Sequence, residues 1–141
     1  LAIQQMWQQN LGINVELVNQ DWKVYLSREM IGDFQVSRAG WIGDYEDPNT
    51  FLDTMRPNRG NNKTRWDNYE FDDLLAKANA TLDQEERYKI LMEAERLLID
   101  EMPIAPIYTY VRVYQLHEDV KGWHPNILSH HHPKYIRIER D

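Results

Sequence analysis

Three carboxylates stand within four residues in the run Gly40-Trp41-Ile42-Gly43-Asp44-Tyr45-Glu46-Asp47-Pro48. Two carboxyl groups in different environments can divide the roles of general acid and general base, so the run is a candidate for proton-transfer chemistry. The competing role is turn formation. An Asp ahead of Pro caps turns and helix starts through its own backbone, and Asp47 before Pro48 is expected to do so. Asp44 has a different setting. It follows Gly43 and is flanked by Trp41 and Tyr45, and an acid among aromatic rings suits a cation or an ammonium group.

Outside that run the chemical repertoire is thin. His130, His131 and His132 are adjacent, and a strand would place His130 and His132 on one face as two imidazole ligands. No H-E-x-x-H and no spaced second ligand cluster accompanies them, so surface or interface roles are expected. The serines are Ser27, Ser37 and Ser129, none within G-x-S-x-G, and no phosphate-cradling glycine loop is present. The expectation is a non-enzyme. Its rival is a carboxylate-based hydrolase pairing Asp44 with Glu46 or Asp47.

Composition narrows the partners. Sixteen Lys and Arg against 23 Asp and Glu leave a net charge of −7, the wrong sign for coating a phosphate backbone. Nucleic acid is therefore not an expected partner. The absence of cysteine removes disulfides, thiolate metal sites and cysteine nucleophiles but does not choose a compartment. No window approaches the ~20 apolar residues that span a bilayer. The chain opens at Leu1 without a methionine or leader and already inside a helical pattern, so a piece of a longer protein is expected. Five Trp and eight Tyr are many for 141 residues, and such rings favour recognition clefts as well as cores.

The elements that must hold these residues follow from periodicity. Ile3, Met6 and Trp7 at helical spacing, closed by Gly12, predict a helix over residues 1–10. Ile13, Val15 and Leu17 alternate as a strand. Asp21 caps a second helix closed by Gly32, and residues 34–39 read as the next strand, which together make a βαβ unit with a parallel pair. Residues 40–60 are mainly loop, with a short helix over 48–55, just past a strand's C-terminal end where open α/β sheets bind ligands. Two D-x-x-E boxes, Asp67 with Glu70 and Asp83 with Glu86, predict an antiparallel helix pair ended by Pro103. Residues 104–110, 111–116 and 135–139 are strand-like, with Tyr108, Tyr110 and Tyr114 at period two. The fold class is α/β, a mixed sheet with flanking helices.

The run from Gly40 to Pro48 with Phe51-Leu52, then Gly60-Asn61-Asn62, Thr64, Trp66, Glu70-Phe71-Asp72, Leu74-Leu75, Ala94-Glu95 and Met102-Pro103-Ile104-Ala105-Pro106-Ile107-Tyr108, resembles the peptide-binding family of extracytoplasmic solute-binding proteins that serve ABC importers. The order and spacing of these segments carry the resemblance over nearly the whole chain. It implies a two-lobed periplasmic binding protein fold, of which residues 1–141 are the C-terminal part of the second lobe and the first lobe is absent. It further implies that Asp44 anchors a peptide's α-ammonium. Trp41 would pack beside the first peptide residue, with Tyr45 next to the anchor, while Gly40 and Ile42 offer backbone groups. The implied protein is a periplasmic or cell-surface receptor, monomeric when complete. It needs no cofactor, does not itself span the membrane, and delivers oligopeptides to permease subunits. Carriage of nickel or haem, which some family members perform, is the alternative within the same family.

Overall fold

The structure, a computed structural model, describes residues 1–57, 60–126 and 128–140. The chain divides into two compact units, Leu1–Arg38 and Ala39–Asp141.

The first unit contains helices α1 (Ala2–Leu11) and α2 (Trp22–Ile31). Both stop where a glycine enters the left-handed region, Gly12 at φ 67° and Gly32 at φ 74°, as the sequence predicts. At each end the next two amides turn back onto the last turn: Gly12 to Gln8 and Ile13 to Trp7, then Gly32 to Glu29 and Asp33 to Arg28. That pattern satisfies carbonyls which a helix end otherwise leaves open. Asp21 caps α2 by accepting the Lys23 amide at 3.0 Å. On α2, Glu29 accepts the hydroxyls of Tyr25 at 2.8 Å and Ser37 at 3.0 Å, tying the helix to the segment that follows it. Burial and the Glu29 carboxylate together push the Tyr25 hydroxyl above the usual phenol range. Neither helix buries a residue fully.

The core lies in the second unit. Helix α3 (Asn49–Leu52) runs into a 3₁₀ turn (Asp53–Met55), followed by α4 (Tyr69–Ala80) and α5 (Gln84–Glu101). Phe71, Leu75 and Ala78 on α4 meet Ile90, Leu91, Ala94 and Leu98 on α5, spacings that put each set on one helical stripe. Leu52 and Met55 close one end of this seam. Trp66 meets Phe71 edge-on at 4.9 Å, and its indole N–H donates to Glu101 at 2.6 Å. Asn68 donates to the other oxygen of Glu101 at 2.7 Å, so the start of α4 is fastened to the end of α5. The cap of α4 differs from the expectation. Asn68, not Asp67, accepts the Phe71 amide, because the helix begins one residue later than the box predicts. Asp83 caps α5 as expected through the Glu86 amide.

The predicted strands fare differently. Among the described residues the sheet is two-stranded and antiparallel, β1 (Val120–Lys121) with β2 (Arg137–Ile138), Val120 opposite Ile138. Residues 13–17, 34–39 and 104–116 join no ladder, so the expected parallel βαβ pair is not formed within the described residues. Alternation reports a face that will be buried; the ladder needs a second strand alongside, which the pattern does not supply. Val111 and Val113 accordingly stand exposed.

If the α4–α5 seam carries the stability of this unit, Phe71→Ala should cost about 3–5 kcal/mol. Met92→Ala, on the exposed side of α5, should change stability by less than about 0.5 kcal/mol. Denaturant titration of the full-length protein, followed by circular dichroism, measures both. Equal losses would mean that the seam is not the core.

Candidate functional site

The loop over residues 40–48 is held from beneath by the first turn of α3. Asp47 Oδ1 accepts the Asn49 amide at 2.9 Å, which is the turn-capping role expected of an Asp before Pro48. The same carboxylate is gripped from α5. Arg87 donates Nη1 to Asp47 Oδ2 at 2.6 Å and Nη2 to Oδ1 at 2.8 Å, a two-pronged pair with about a fifth of each side chain exposed. The guanidinium holds the Asp47 carboxyl below the usual carboxylate range, and the carboxylate raises Arg87 in turn. A carboxylate so stabilised in its charged form is a poor proton donor. Asp47 is therefore unsuited to the acid role in a hydrolase.

Two further side chains connect this grip to the residues singled out by sequence. Thr50 is buried, and its Oγ1 accepts the Asp44 amide at 2.9 Å. Asn49, also buried, donates Nδ2 to the Tyr45 hydroxyl at 3.2 Å. Gly43 sits so close over this turn that a Cβ would lie 3.1 Å from Thr50 Cγ2 and 3.3 Å from Phe51 Cζ. Asp44 thus has a fixed backbone and an exposed position. Trp41, Ile42 and Tyr45 are exposed as well, Trp41 at 42%. Gly40 is exposed, and a Cβ there would come 3.8 Å from the Tyr110 ring. All five predicted ligand residues share one outward-facing loop.

Sequence reasoning missed Arg87, Asn49 and Thr50. A signal for Arg87 exists: it stands at helical spacing with Leu91, Ala94 and Leu98, and a charge on an apolar stripe calls for a partner. Nothing local marks Asn49 or Thr50.

The histidines lie elsewhere in this unit. His131 stacks on Trp123 at 4.2 Å, and Trp123 packs on Tyr114 at 4.1 Å. His130 donates its amide to Asn126 at 3.0 Å. A cavity of about 170 Å³ opens beside them. Among the described residues no group of three or more His, Cys, Asp or Glu is arranged to hold a metal ion. Among the described residues no helix is long and apolar enough to cross a membrane.

Comparison with known proteins places this arrangement among relatives. The family model for bacterial extracellular solute-binding proteins, family 5 Middle, matches residues 1–63. The oligopeptide-binding protein OppA of Bacillus subtilis is 45% identical over 122 residues, 86% of this chain and 22% of that protein. The periplasmic murein peptide-binding protein MppA of Escherichia coli is 35% identical over 96% of this chain and 26% of its own length. The solved structure of the E. coli murein tripeptide binding protein MppA superposes with a TM-score of 0.85 at 33% identity, covering 99% of this chain and 28% of that one. Haemophilus influenzae OppA in complex with RPPGFSPFR gives 0.83 at 33% identity over 97% and 27%. These neighbours are two-lobed periplasmic binding proteins, so the chain has the fold of a lobe segment, although only the β1–β2 part of a sheet forms among its described residues. The chain spans about a quarter of the length of these relatives.

Because Asp47 titrates below its unfolded value, its contribution is present above the unfolded pKa of about 3.9 and is lost progressively as pH falls through the lower folded value. Asp47→Asn should therefore cost about 1.5–3 kcal/mol at neutral pH, the range for hydrogen bonds to charged groups. The gap between variant and wild type should close in acid. Denaturant midpoints of the full-length protein at pH 7 and pH 3 measure it, and a gap independent of pH would contradict the pairing.

Proposed function

We propose that the chain is a segment of a bacterial extracellular solute-binding protein of family 5, the C-terminal part of the second lobe of an extracytoplasmic receptor that captures peptides and hands them to ABC importer permease subunits. In this reading Asp44 pairs with the peptide's α-ammonium. Gly40 and Ile42 offer backbone groups to the peptide main chain, while Trp41 and Tyr45 flank the first residue. Main-chain pairing gives affinity without reading side chains, and one carboxylate at the end sets the direction in which the peptide lies.

The observation that carries this reading is the unequal fate of the loop's carboxylates. Asp47 is neutralised by Arg87, whereas Asp44 stands exposed on a backbone that Thr50 pins, in a loop that also exposes Trp41 and Tyr45. A free carboxylate on a fixed backbone loses little freedom when an ammonium arrives, which favours binding. The relatives named for peptide binding, and the complex of one of them with RPPGFSPFR, support peptides as the ligand class.

In the full-length protein Asp44→Ala should cost about 2–5 kcal/mol of peptide affinity once the two lobes close, because it leaves a buried ammonium without its partner. Acetylating the peptide's amino terminus should cost a similar amount, and the two losses should not add. Calorimetry on the four combinations decides between the readings. Additive losses would separate Asp44 from the amine, and cleaved peptide in the cell after incubation would favour a hydrolase.

Trp41→Ala should weaken many peptides alike without reordering them, since its proposed contact is to atoms every peptide shares. A loss confined to one peptide sequence would move Trp41 into a side-chain pocket.

A further inference from the structure

We propose that Arg87 is the positioning residue of the ligand-facing loop: from α5 it clamps Asp47, fixes the backbone that presents Asp44, and removes Asp47 from competition for the same ammonium. This inference rests on the reading of Asp44 given above.

A route of direct contacts runs from α5 to the loop. Arg87 grips Asp47 with two nitrogens at 2.6 and 2.8 Å. The carboxylate of Asp47 takes the Asn49 amide at 2.9 Å, Asn49 takes hold of the Tyr45 hydroxyl at 3.2 Å, and the neighbouring Thr50 receives the Asp44 amide at 2.9 Å. Each link is short, and the first is made by a planar fork whose geometry allows little rotation, unlike a lysine ammonium. Arg87 is also anchored at its own base. It shares the stripe of Leu91, Ala94 and Leu98, all buried, so its Cα is set by the α4–α5 seam rather than by a loop. The loop therefore inherits the rigidity of the helix hairpin through one ion pair.

The charge argument is separate. Asp44 and Asp47 are three residues apart, and two free carboxylates so near one another would offer a peptide amine two places to dock. The register of the peptide main chain along Gly40 and Ile42 would then be ambiguous. With Asp47 satisfied by Arg87, one of the two carboxylates left exposed, Asp44, is the one whose backbone Thr50 pins, and it defines the start of the peptide. Glu46, between them, is exposed and lies beyond this network.

The test uses the full-length protein and a pool of random tri- to pentapeptides, either with free amino termini or N-acetylated, with binding read by equilibrium dialysis. Arg87→Met should weaken the free-amine pool about tenfold, the lower end of what removing the outer partner of a ligand-holding group costs in metal sites. The acetylated pool should be unaffected, because it does not use Asp44. Arg87→Lys keeps the charge but not the fork, and should show the same selectivity at about threefold; it decides the matter if Arg87→Met does not fold. The double variant Asp47→Asn with Arg87→Met should be no weaker than Arg87→Met. Equal losses for both pools, no loss, or a gain for the free-amine pool would overturn the proposal. Asp44→Ala in the same assay separates the two ideas: if it spares the free-amine pool, the reading of Asp44 fails, and if it abolishes that selectivity while the Arg87 variants do not, only Arg87 is misassigned.

Discussion

The apolar seam between α4 and α5 is the constraint on which the second unit depends. It holds the fully buried side chains of the described residues, and it is continuous from Leu52 and Met55 under α3 to Leu98 near the end of α5. Two packed helices joined by a short turn bury one stripe each and need little else to be rigid. Because Arg87 extends that stripe by one turn, the seam determines where its guanidinium points. The loop over residues 40–48 is consequently fastened to a core it does not enter.

Polar contacts then finish what packing begins. Glu101 joins Trp66 and Asn68 to the far end of α5, and Asn62 donates to the carbonyls of Met55 and Trp66. Arg56 pairs with Asp72 and Asp53 beside the 3₁₀ turn, and the Asp72 carboxylate raises the guanidinium further above its ordinary value. The Asn62 and Arg56 contacts are partly buried and the Glu101 contacts exposed, each of modest worth, yet together they leave the segment between α3 and α4 with few alternatives. A binding loop profits from such a frame, since ordering that is complete before the ligand arrives is not charged to affinity.

The first unit shows the opposite balance. Its helices are well capped, but no residue on them is fully buried, and Trp22, Met30 and Ile31 are exposed along with Leu17, Val18 and Val36. Local rules suffice to form helices with these ends, because a left-handed glycine and an Asp cap act within a few residues. They do not suffice to make a core.

The sequence by itself determined what local chemistry controls: α1 and α2 with their glycine stops, the short helix after Pro48, the Asp83 cap, the stripe from Phe71 to Ala78, and the loop that holds Asp44. It also carried the family resemblance, through residues spread along the whole chain. Tertiary structure alone decided which strands exist and which cation the paired carboxylate meets. Residues 13–17 and 104–116 alternate convincingly, yet a ladder is a property of two segments, and one segment's pattern cannot name its partner. Likewise the sequence marks Asp47, ahead of Pro48, for a turn cap but does not name the partner of its charge. That partner is Arg87, forty residues on, brought to Asp47 by the packing of a helix whose face was legible but whose target was not. An ion pair is chosen by distance in space, and distance in space is what a linear pattern leaves open.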